Sequence, residues 1–467
     1  MFSSFYSLTK TEPETLGSGV TKMSKAKPFS ISKRLVMAAY QKVRSNRGSA
    51  GVDEVSMNEF DNDYRNHLYK VWNRMSSGSY LPPAVKLIEI PKKGGGLRPL
   101  GIPTIADRIA QSVVRGLLEP TLEPLFIKDS YGYRPGKSAT QAVERVRQLC
   151  WKQSWVIDLD IKGFFDNIPH ELLMKAVRRH CETKWILLYI ERWLAAPLQL
   201  QDGTQVERTK GVPQGSVIGP LLANLYLHYT MDKWLSIEYP QCSLVRYADD
   251  AIIVCRTQNE SQTVMKALAK RLTDCGLEMH ASKSKLVYCK DSNRKYDKHY
   301  PIVSFDFLGF TFKPRLAQNS KRREWFTNFL PAVSTKAMKA MNEKMKKWQA
   351  LKKTTNTLQE IAKEINPVIR GWINYYGTFY KTKMKEFMHI LNVKLETWAR
   401  RKYKRLRTGG MKTVKWLHQI SVRRANLFAH WTLLNSKPTV GKSERHNGRL
   451  LRAVLTESQV VIPGFTY

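Results

Sequence analysis

Leu244-Val245-Arg246-Tyr247-Ala248-Asp249-Asp250, followed by Ile252-Ile253-Val254, is the stretch on which the fold turns. Two adjacent carboxylates sit between two apolar runs, the pattern of a β-hairpin that holds the charges at its tight turn. Such a turn fixes two acids at a rigid, exposed point, as a divalent-cation site requires. A third acid comes from the strand-like run Trp155-Val156-Ile157-Asp158-Leu159-Asp160-Ile161. Alternation over 155–161 puts Asp158 and Asp160 on one face and Ile157, Leu159 and Ile161 on the other, so spacing leaves the choice between the two acids open. Phosphoryl transfer to a hydroxyl is served by two metal ions roughly 3.5–4 Å apart. Magnesium takes oxygen ligands, and carboxylates forced together without a cation repel one another. Taken singly, each acid is equally an ordinary solvated residue of a turn or strand end.

Outward from the hairpin, residues 154 to about 312 read as an α/β alternation. The strand over 155–161 is followed by helices over 169–180 and 184–195, a short hairpin around Asp202-Gly203, and a helix from Pro220 to Ile237. After hairpin 244–255 come a helix over 259–275 and strands near 284–289 and 304–312. This order predicts a split β-α-β sheet. Upstream, 31–45 reads as a helix with Leu35, Ala38, Ala39 and Val43 at helical spacing. Val85–Ile90 alternates as a strand before the glycine-rich hairpin tip Pro91–Pro99, and 105–120 is helical. After Pro331 Lys and Arg far outnumber acids, and helical patterns carry Trp348, Trp372, Tyr375, Tyr376 and Trp398. Gly409-Gly410 breaks this segment and marks a module boundary.

The chain has 467 residues, 42% hydrophobic, with 77 Lys plus Arg against 39 Asp plus Glu, a formal charge of +38. That excess predicts a polyanionic partner, nucleic acid before membrane, since no run of apolar residues is long enough to span a bilayer. The cysteines Cys150, Cys181, Cys242, Cys255, Cys275 and Cys289 form no Cys-x-x-Cys pair, which argues against a zinc ribbon and for reduced thiols in a cytosolic chain. Gly132-Tyr133-Arg134-Pro135-Gly136-Lys137-Ser138 is not a P-loop, because Walker A needs four residues between its glycines and here there are three.

Several blocks, in order, carry a family resemblance. Asp160-Ile161-Lys162-Gly163-Phe164-Phe165-Asp166, Gly211-Val212-Pro213-Gln214-Gly215 and Tyr247-Ala248-Asp249-Asp250 resemble successive blocks of reverse transcriptases. Pro91-Lys92 through Arg98-Pro99-Leu100-Gly101 looks like the fingers block. Tyr131-Gly132-Tyr133-Arg134-Pro135-Gly136 looks like the next, with Tyr133 where Phe is usual. Gly276-Leu277 through Lys283 and Phe305-Asp306-Phe307-Leu308-Gly309 match the last two. The loop Asn46–Asp53 and the segment Asn366-Pro367-Val368-Ile369-Arg370-Gly371-Trp372 resemble the extra N-terminal block and maturase region of proteins encoded in bacterial group II introns.

The resemblance implies an α+β, right-hand polymerase fold, with fingers and palm built on a split β-α-β antiparallel sheet. It divides the chain into a flexible N-terminus (1–30), fingers and palm (31–330), a helical thumb or maturase region (331–410) and a small DNA-binding module (411–467). It implies an RNA-directed DNA polymerase that also binds its intron RNA, promotes splicing and drives mobility by target-primed reverse transcription. Asp160, Asp249 and Asp250 become the metal-binding acids for two Mg2+ ions, with Mn2+ as an alternative, and Asp158 the bystander. Lys92, Arg98, Phe165, Gln214 and Lys283 are expected around the incoming dNTP, with Phe165 excluding a ribose 2′ hydroxyl by bulk. The cations Lys344, Lys346, Lys347, Arg400, Arg401, Lys404 and Arg405 are expected on nucleic acid, whereas Trp372, Tyr375 and Tyr376 are expected in the thumb core. Implied partners are the group II intron RNA, target DNA or primer, and dNTPs, with no membrane, in a bacterial cytoplasm on the nucleoid. The chain ends at Tyr467 with no cysteine after Cys289, so the His- and Cys-rich endonuclease module of some members is expected to be absent. A non-catalytic RNA-binding splicing factor is the rival outside the polymerases, and a retron or CRISPR-associated enzyme the rival within them.

Overall fold

The computed structural model describes residues 27–46, 48–91, 96–294, 300, 302–318 and 324–435. Lys92, nearly all of 1–30 and the segment 436–467 lie outside the described residues. The chain opens on α1 (Lys33–Asn46), α2 (Met57–Asn62) and α3 (Tyr64–Ser77). The buried stripe of α1 is Val36, Ala39, Tyr40 and Val43, rotated from the expected one, and Ala38 is exposed. Tyr40 sets that face, with its ring stacked on Phe60 and Tyr64 at 6.0 and 5.5 Å. Ser56 and Glu59 form a reciprocal capping box that starts α2.

Strands β1 (Val85–Pro91) and β2 (Leu97–Ile102) pair antiparallel across the glycine-rich tip, as expected. Next come α4 (Ile105–Leu122), capped by Thr104, and α5 (Ala139–Lys152), capped by Ser138. Strand β3 (Trp155–Leu159) leads to α6 (Phe164–Asn167), α7 (His170–Arg178) and α8 (Lys184–Ala195). The short strands β4 (Leu198–Gln199) and β5 (Gln205–Val206) extend the fingers sheet in the order β2-β1-β4-β5. The expected helix over 220–237 is α9 (Gly219–Leu227), a π-helical turn His228–Asp232 and α10 (Lys233–Glu238) in direct succession.

The hairpin is real: β6 (Ser243–Tyr247) and β7 (Asp250–Cys255) pair with Tyr247 opposite Asp250, leaving Ala248-Asp249 as a two-residue turn. Helix α11 (Gln258–Asp274) and β8 (Lys285–Tyr288) complete an antiparallel palm sheet ordered β6-β7-β3-β8. Its two faces serve two cores. Ile157, Leu159, Ile253 and Cys255 pack with the helices of fingers and palm. Val156, Val245, Ile252 and Val254 pack on α5 and a cluster of phenylalanines.

Two expected strands are corrected. The one over 155–161 stops at Leu159, because the Asp160 carbonyl accepts from His280 N at 2.8 Å and Lys162 N donates to Glu278 O at 2.9 Å. The strand over 304–312 breaks at Leu308-Gly309, both at positive φ (50° and 80°). It becomes β9 (Phe305–Phe307) and β10 (Phe310–Gln318), which join β11 (Trp325–Val333) in a separate three-stranded sheet. Phe305, Phe310, Phe312 and Phe329 fill its buried side, with Phe305 and Phe312 stacked at 4.7 Å.

Helices α12 (Thr335–Lys346), α13 (Leu358–Tyr376), α14 (Lys381–Lys402), α15 (Gly410–Arg423) and α16 (Ala429–Asn435) follow. One core runs through all five, from Met341 and Ile365 to Leu417, Phe428 and Trp431. The Asn366 side chain donates to Leu427 O and accepts from Ala429 N (both 2.9 Å), tying α16 to α13 across Gly409-Gly410. No helix among the described residues is long and apolar enough to cross a membrane.

Candidate active site

Asp249 is the second turn residue of the hairpin and Asp250 the first residue of β7. Leu159 of β3 pairs with Ala251, so the next step along both strands sets Asp160 opposite Asp250. Asp160 is the acid that reaches the turn. Its N–H donates to Ser284 Oγ at 3.1 Å, and the His280–Ser284 turn holds its backbone beyond the strand end. Asp158, two residues back from Asp160 on the same face, sits opposite Lys285 of β8 and pairs with it at 3.6 Å. Burial raises its carboxyl to about 6 against Lys285, with Asp250 adding to the rise. The backbone therefore separates two acids that alternation could not.

The electrostatics tie the three together. Burial pushes the Asp250 carboxyl up to about 6, with Asp249 and then Asp160 adding to it. Burial also raises Asp249, Asp160 reinforces the shift, and Arg98 and Arg246 oppose it. Three all-oxygen donors from two backbone elements, two of them disfavoured as anions by burial and by the neighbouring carboxylates, fit a hard divalent cation. Their ligand atoms do not converge on one point: among the described residues, the one set of three or more ligands with atoms within 4.8 Å does not include them. Because protons compete with a divalent cation at Asp250, the apparent metal affinity should fall as pH drops through about 6 and be restored by raising the metal concentration. Metal titrations at pH 5.5 and 7.5 check this; a pH-independent metal requirement contradicts it.

Beneath the turn lies a buried clamp that the sequence reading missed. Ala248 takes a left-handed φ of 57°, which costs roughly 1–2 kcal/mol for a non-glycine residue. Arg246, 0% exposed, donates from Nη1 to the Ala248 carbonyl at 3.0 Å and to Asn224 Oδ1 at 2.8 Å. Its Nε and Nη2 bond both oxygens of Asp232, at 2.9 and 2.6 Å, within the π-helical turn. Asn224 Nδ2 in turn donates to Gly132 O. Gly132 presses on the turn so closely that a Cβ there would lie 2.2 Å from Ala248 N. Gly132→Ala must displace the turn, and a misplacement of about 1 Å costs on the order of 100-fold in rate. A steady-state rate within threefold of wild type would contradict that reading.

The fingers close the other side. Arg98 Nε donates to Gln214 Oε1 at 2.6 Å, and Gln214 Nε2 reaches Asp166 at 3.4 Å. The Gln214 turn is stitched to β2 by Gly101 N donating to Gln214 O at 2.7 Å. Gly215, at φ 114°, has no room for a Cβ, which would lie 2.3 Å from Gly101 O. Lys283 Nζ lies 3.5 Å from Asp160 Oδ2. Phe165 is 8% exposed and packs edge-on to Phe164 in the palm core. The half-exposed Tyr133 stands beside Asp249, and its hydroxyl pKa is raised by burial and then by that carboxylate.

On the thumb side, Asp250 opens into a cleft of about 520 Å3 that Gly309, Lys336, Lys344, Trp372 and Tyr376 also line. Lys344 thus meets the acids across a cleft. Lys346 is paired with Glu343 at 2.7 Å, while Lys347, Arg401, Lys404 and Arg405 are solvent-exposed and Arg400 is half-buried. Tyr375 and Tyr376 pack on Phe310, as expected of core residues, but Tyr376 and Trp372 also face the cleft.

Two family descriptions match this chain: reverse transcriptase (RNA-dependent DNA polymerase) over residues 90–312, and the group II intron maturase-specific domain over 338–416. The chain carries a reverse transcriptase domain followed by a group II intron maturase-specific domain. The reverse transcriptase family works with divalent metal ions, in keeping with the acids at the turn. Among curated relatives, the group II intron-encoded protein LtrA of Lactococcus lactis is 34% identical over 200 residues, 42% of this chain and 33% of LtrA. Protein YkfC of Escherichia coli K12 is 36% identical over 40% of this chain and 50% of its own length. The COX1/OXI3 intron 1 protein of Saccharomyces cerevisiae is 29% identical over 43% and 24%. The chain thus spans half or less of each of these relatives. The reverse transcriptase match over 90–312 takes in the hairpin, strand β2 and the palm sheet, so all three acids lie within it.

Proposed function

We propose that this chain is an RNA-directed DNA polymerase encoded by a group II intron, and that it also binds the intron RNA, promotes splicing and moves the intron by target-primed reverse transcription. The observation that carries this reading is the meeting of Asp160 from the end of β3 with Asp249 and Asp250 from the hairpin turn. Asp160, Asp249 and Asp250 would hold two Mg2+ ions, with Mn2+ as an alternative, and a bound pair would supply Lewis acidity toward the primer 3′ hydroxyl and the pyrophosphate charge.

The remaining roles belong to the protein's own side chains. Arg98 and Lys283 flank the acids and bind the dNTP triphosphate, with Lys92 as a third cation. Gln214, held by Arg98, lines the nucleotide pocket. Phe165 sits under the incoming sugar, and its packing against Phe164 keeps the floor rigid. Lys344, across the cleft from Asp250, grips the primer–template backbone, while Lys346, Lys347, Arg400, Arg401, Lys404 and Arg405 contact RNA or DNA phosphates. Fingers and palm take 31–330, the thumb 331–410 and a DNA-binding module 411–467, in a bacterial cytoplasm close to the nucleoid.

Primer extension on an RNA template tests the reading. Purified chain with a DNA primer, dNTPs and Mg2+ should make template-directed DNA, stop on chelation and recover with Mg2+ or Mn2+. Binding and splicing of the intron RNA with no extension under any of these conditions would instead identify a non-catalytic splicing factor.

A further inference from the structure

At the outer end of the same hairpin, away from the acids, the antiparallel register brings together two cysteines thirteen residues apart. Ser243 pairs with Val254, so one step further Cys242 lies beside Cys255, with sulfurs 3.6 Å apart. Glu260, in the first turn of α11, completes a group whose ligand atoms all lie within 4.8 Å of one another. Cys255 is fully buried, while Cys242 and Glu260 are half-buried. One carboxylate oxygen of Glu260 is committed to the helix cap, accepting from Arg256 N at 2.6 Å and Thr257 N at 3.5 Å.

We propose that Cys242, Cys255 and Glu260 form a site for a soft divalent cation, zinc foremost, distinct from the magnesium site at the hairpin turn. Tetrahedral zinc with Zn–S bonds of about 2.3 Å holds two thiolates roughly 3.8 Å apart, close to the spacing already present. Two sulfurs and one oxygen select zinc over magnesium, which demands oxygen ligands. Half-buried Cys242 leaves room for water as the fourth ligand. The hydrogen bond with Cys242, and then burial, raise the Cys255 pKa. Binding releases two protons as two S–H bonds give way to two Zn–S bonds, and affinity therefore rises with pH. A second thiol pair, Cys150 with Cys289, is fully buried and hydrogen-bonded, but among the described residues no third ligand completes it. The ion would pin the outer ends of β6 and β7 to the start of α11. The strands are five or six residues long, which puts the ion roughly 15–20 Å from the turn, so it braces the palm without touching the chemistry.

Cobalt and zinc titration of the reduced, chelator-treated full chain tests this without reference to DNA synthesis. Wild type should bind about one Co2+ with a thiolate-to-cobalt charge-transfer band that Zn2+ displaces, and Cys242→Ser should lose the band. Glu260→Gln is the sharper variant, because glutamine keeps the capping box while removing the anionic ligand. It should retain the fold and bind zinc about tenfold or more weakly. Cys150→Ser should bind as wild type does. Absence of the band in wild type, its survival in Cys242→Ser, unaltered affinity in Glu260→Gln, or loss of two free thiols to a disulfide before metal is added would each overturn the proposal.

Discussion

Asp160→Asn should lower primer extension by at least about a thousandfold, some 4 kcal/mol of lost transition-state stabilisation, with little change in thermal stability. The substitution keeps size and shape and removes one negative charge. Asp160 lies outside β3, its carboxylate is 40% exposed, and its backbone hydrogen bonds to His280 and Ser284 do not use the side chain. A purely structural role would therefore leave the rate nearly unchanged. The same replacement at Asp158 is the control: that carboxylate pairs with Lys285, and its loss should cost less than about tenfold. Single-turnover rates at saturating dNTP separate the two. Equal losses at Asp158 and Asp160 would mean that the wrong acid has been assigned.

The second large effect concerns stability as well as rate. Arg246→Met should destabilise the palm by about 3–5 kcal/mol, because it leaves the Asp232 carboxylate buried with no counter-charge. It also removes the donor to the Ala248 carbonyl and so frees a strained turn. Asp232→Ala should cost a similar amount. The double variant Arg246→Met with Asp232→Ala should cost clearly less than the sum, since neither charge is then stranded. Arg246→Lys keeps the charge but cannot serve Asp232, Asn224 and Ala248 together, so it should recover more stability than polymerisation rate. Urea unfolding combined with extension rates reads both quantities. Strictly additive stability losses would show that the pair is not coupled as described.

The hairpin was legible because apolar runs flank the acids on both sides and the turn admits only two residues. The helices were legible where apolar periodicity is clear, as at Lys184–Ala195, and where a capping box adds to it, as at Gln258–Asp274. The choice of Asp160 over Asp158 depended on the family resemblance. Its physical cause is the His280–Ser284 turn, which captures the Asp160 backbone from 120 residues downstream, and no local pattern encodes that. Arg246 carried one faint signal, a lone cation inside the run Leu244-Val245-Arg246-Tyr247, where a charge survives only if a buried partner meets it. That partner lies across a π-helical turn which helical periodicity alone does not reveal. The Leu308-Gly309 break was read through because its flanks are continuous phenylalanine-rich strand. The Cys242–Cys255 pair was invisible to motif spacing because strand register, not sequence proximity, joins it.

The assignment of the hairpin turn is tested most directly by one chain carrying both Asp249→Ala and Asp250→Ala, assayed for primer extension on an RNA template and for splicing of the intron RNA. Expected is extension at background, with RNA binding and splicing close to wild type, because in the proposed function the turn supplies the reaction and the basic thumb surface holds the RNA. DNA synthesis that persists in this variant would contradict the placing of the polymerase metal site at the turn.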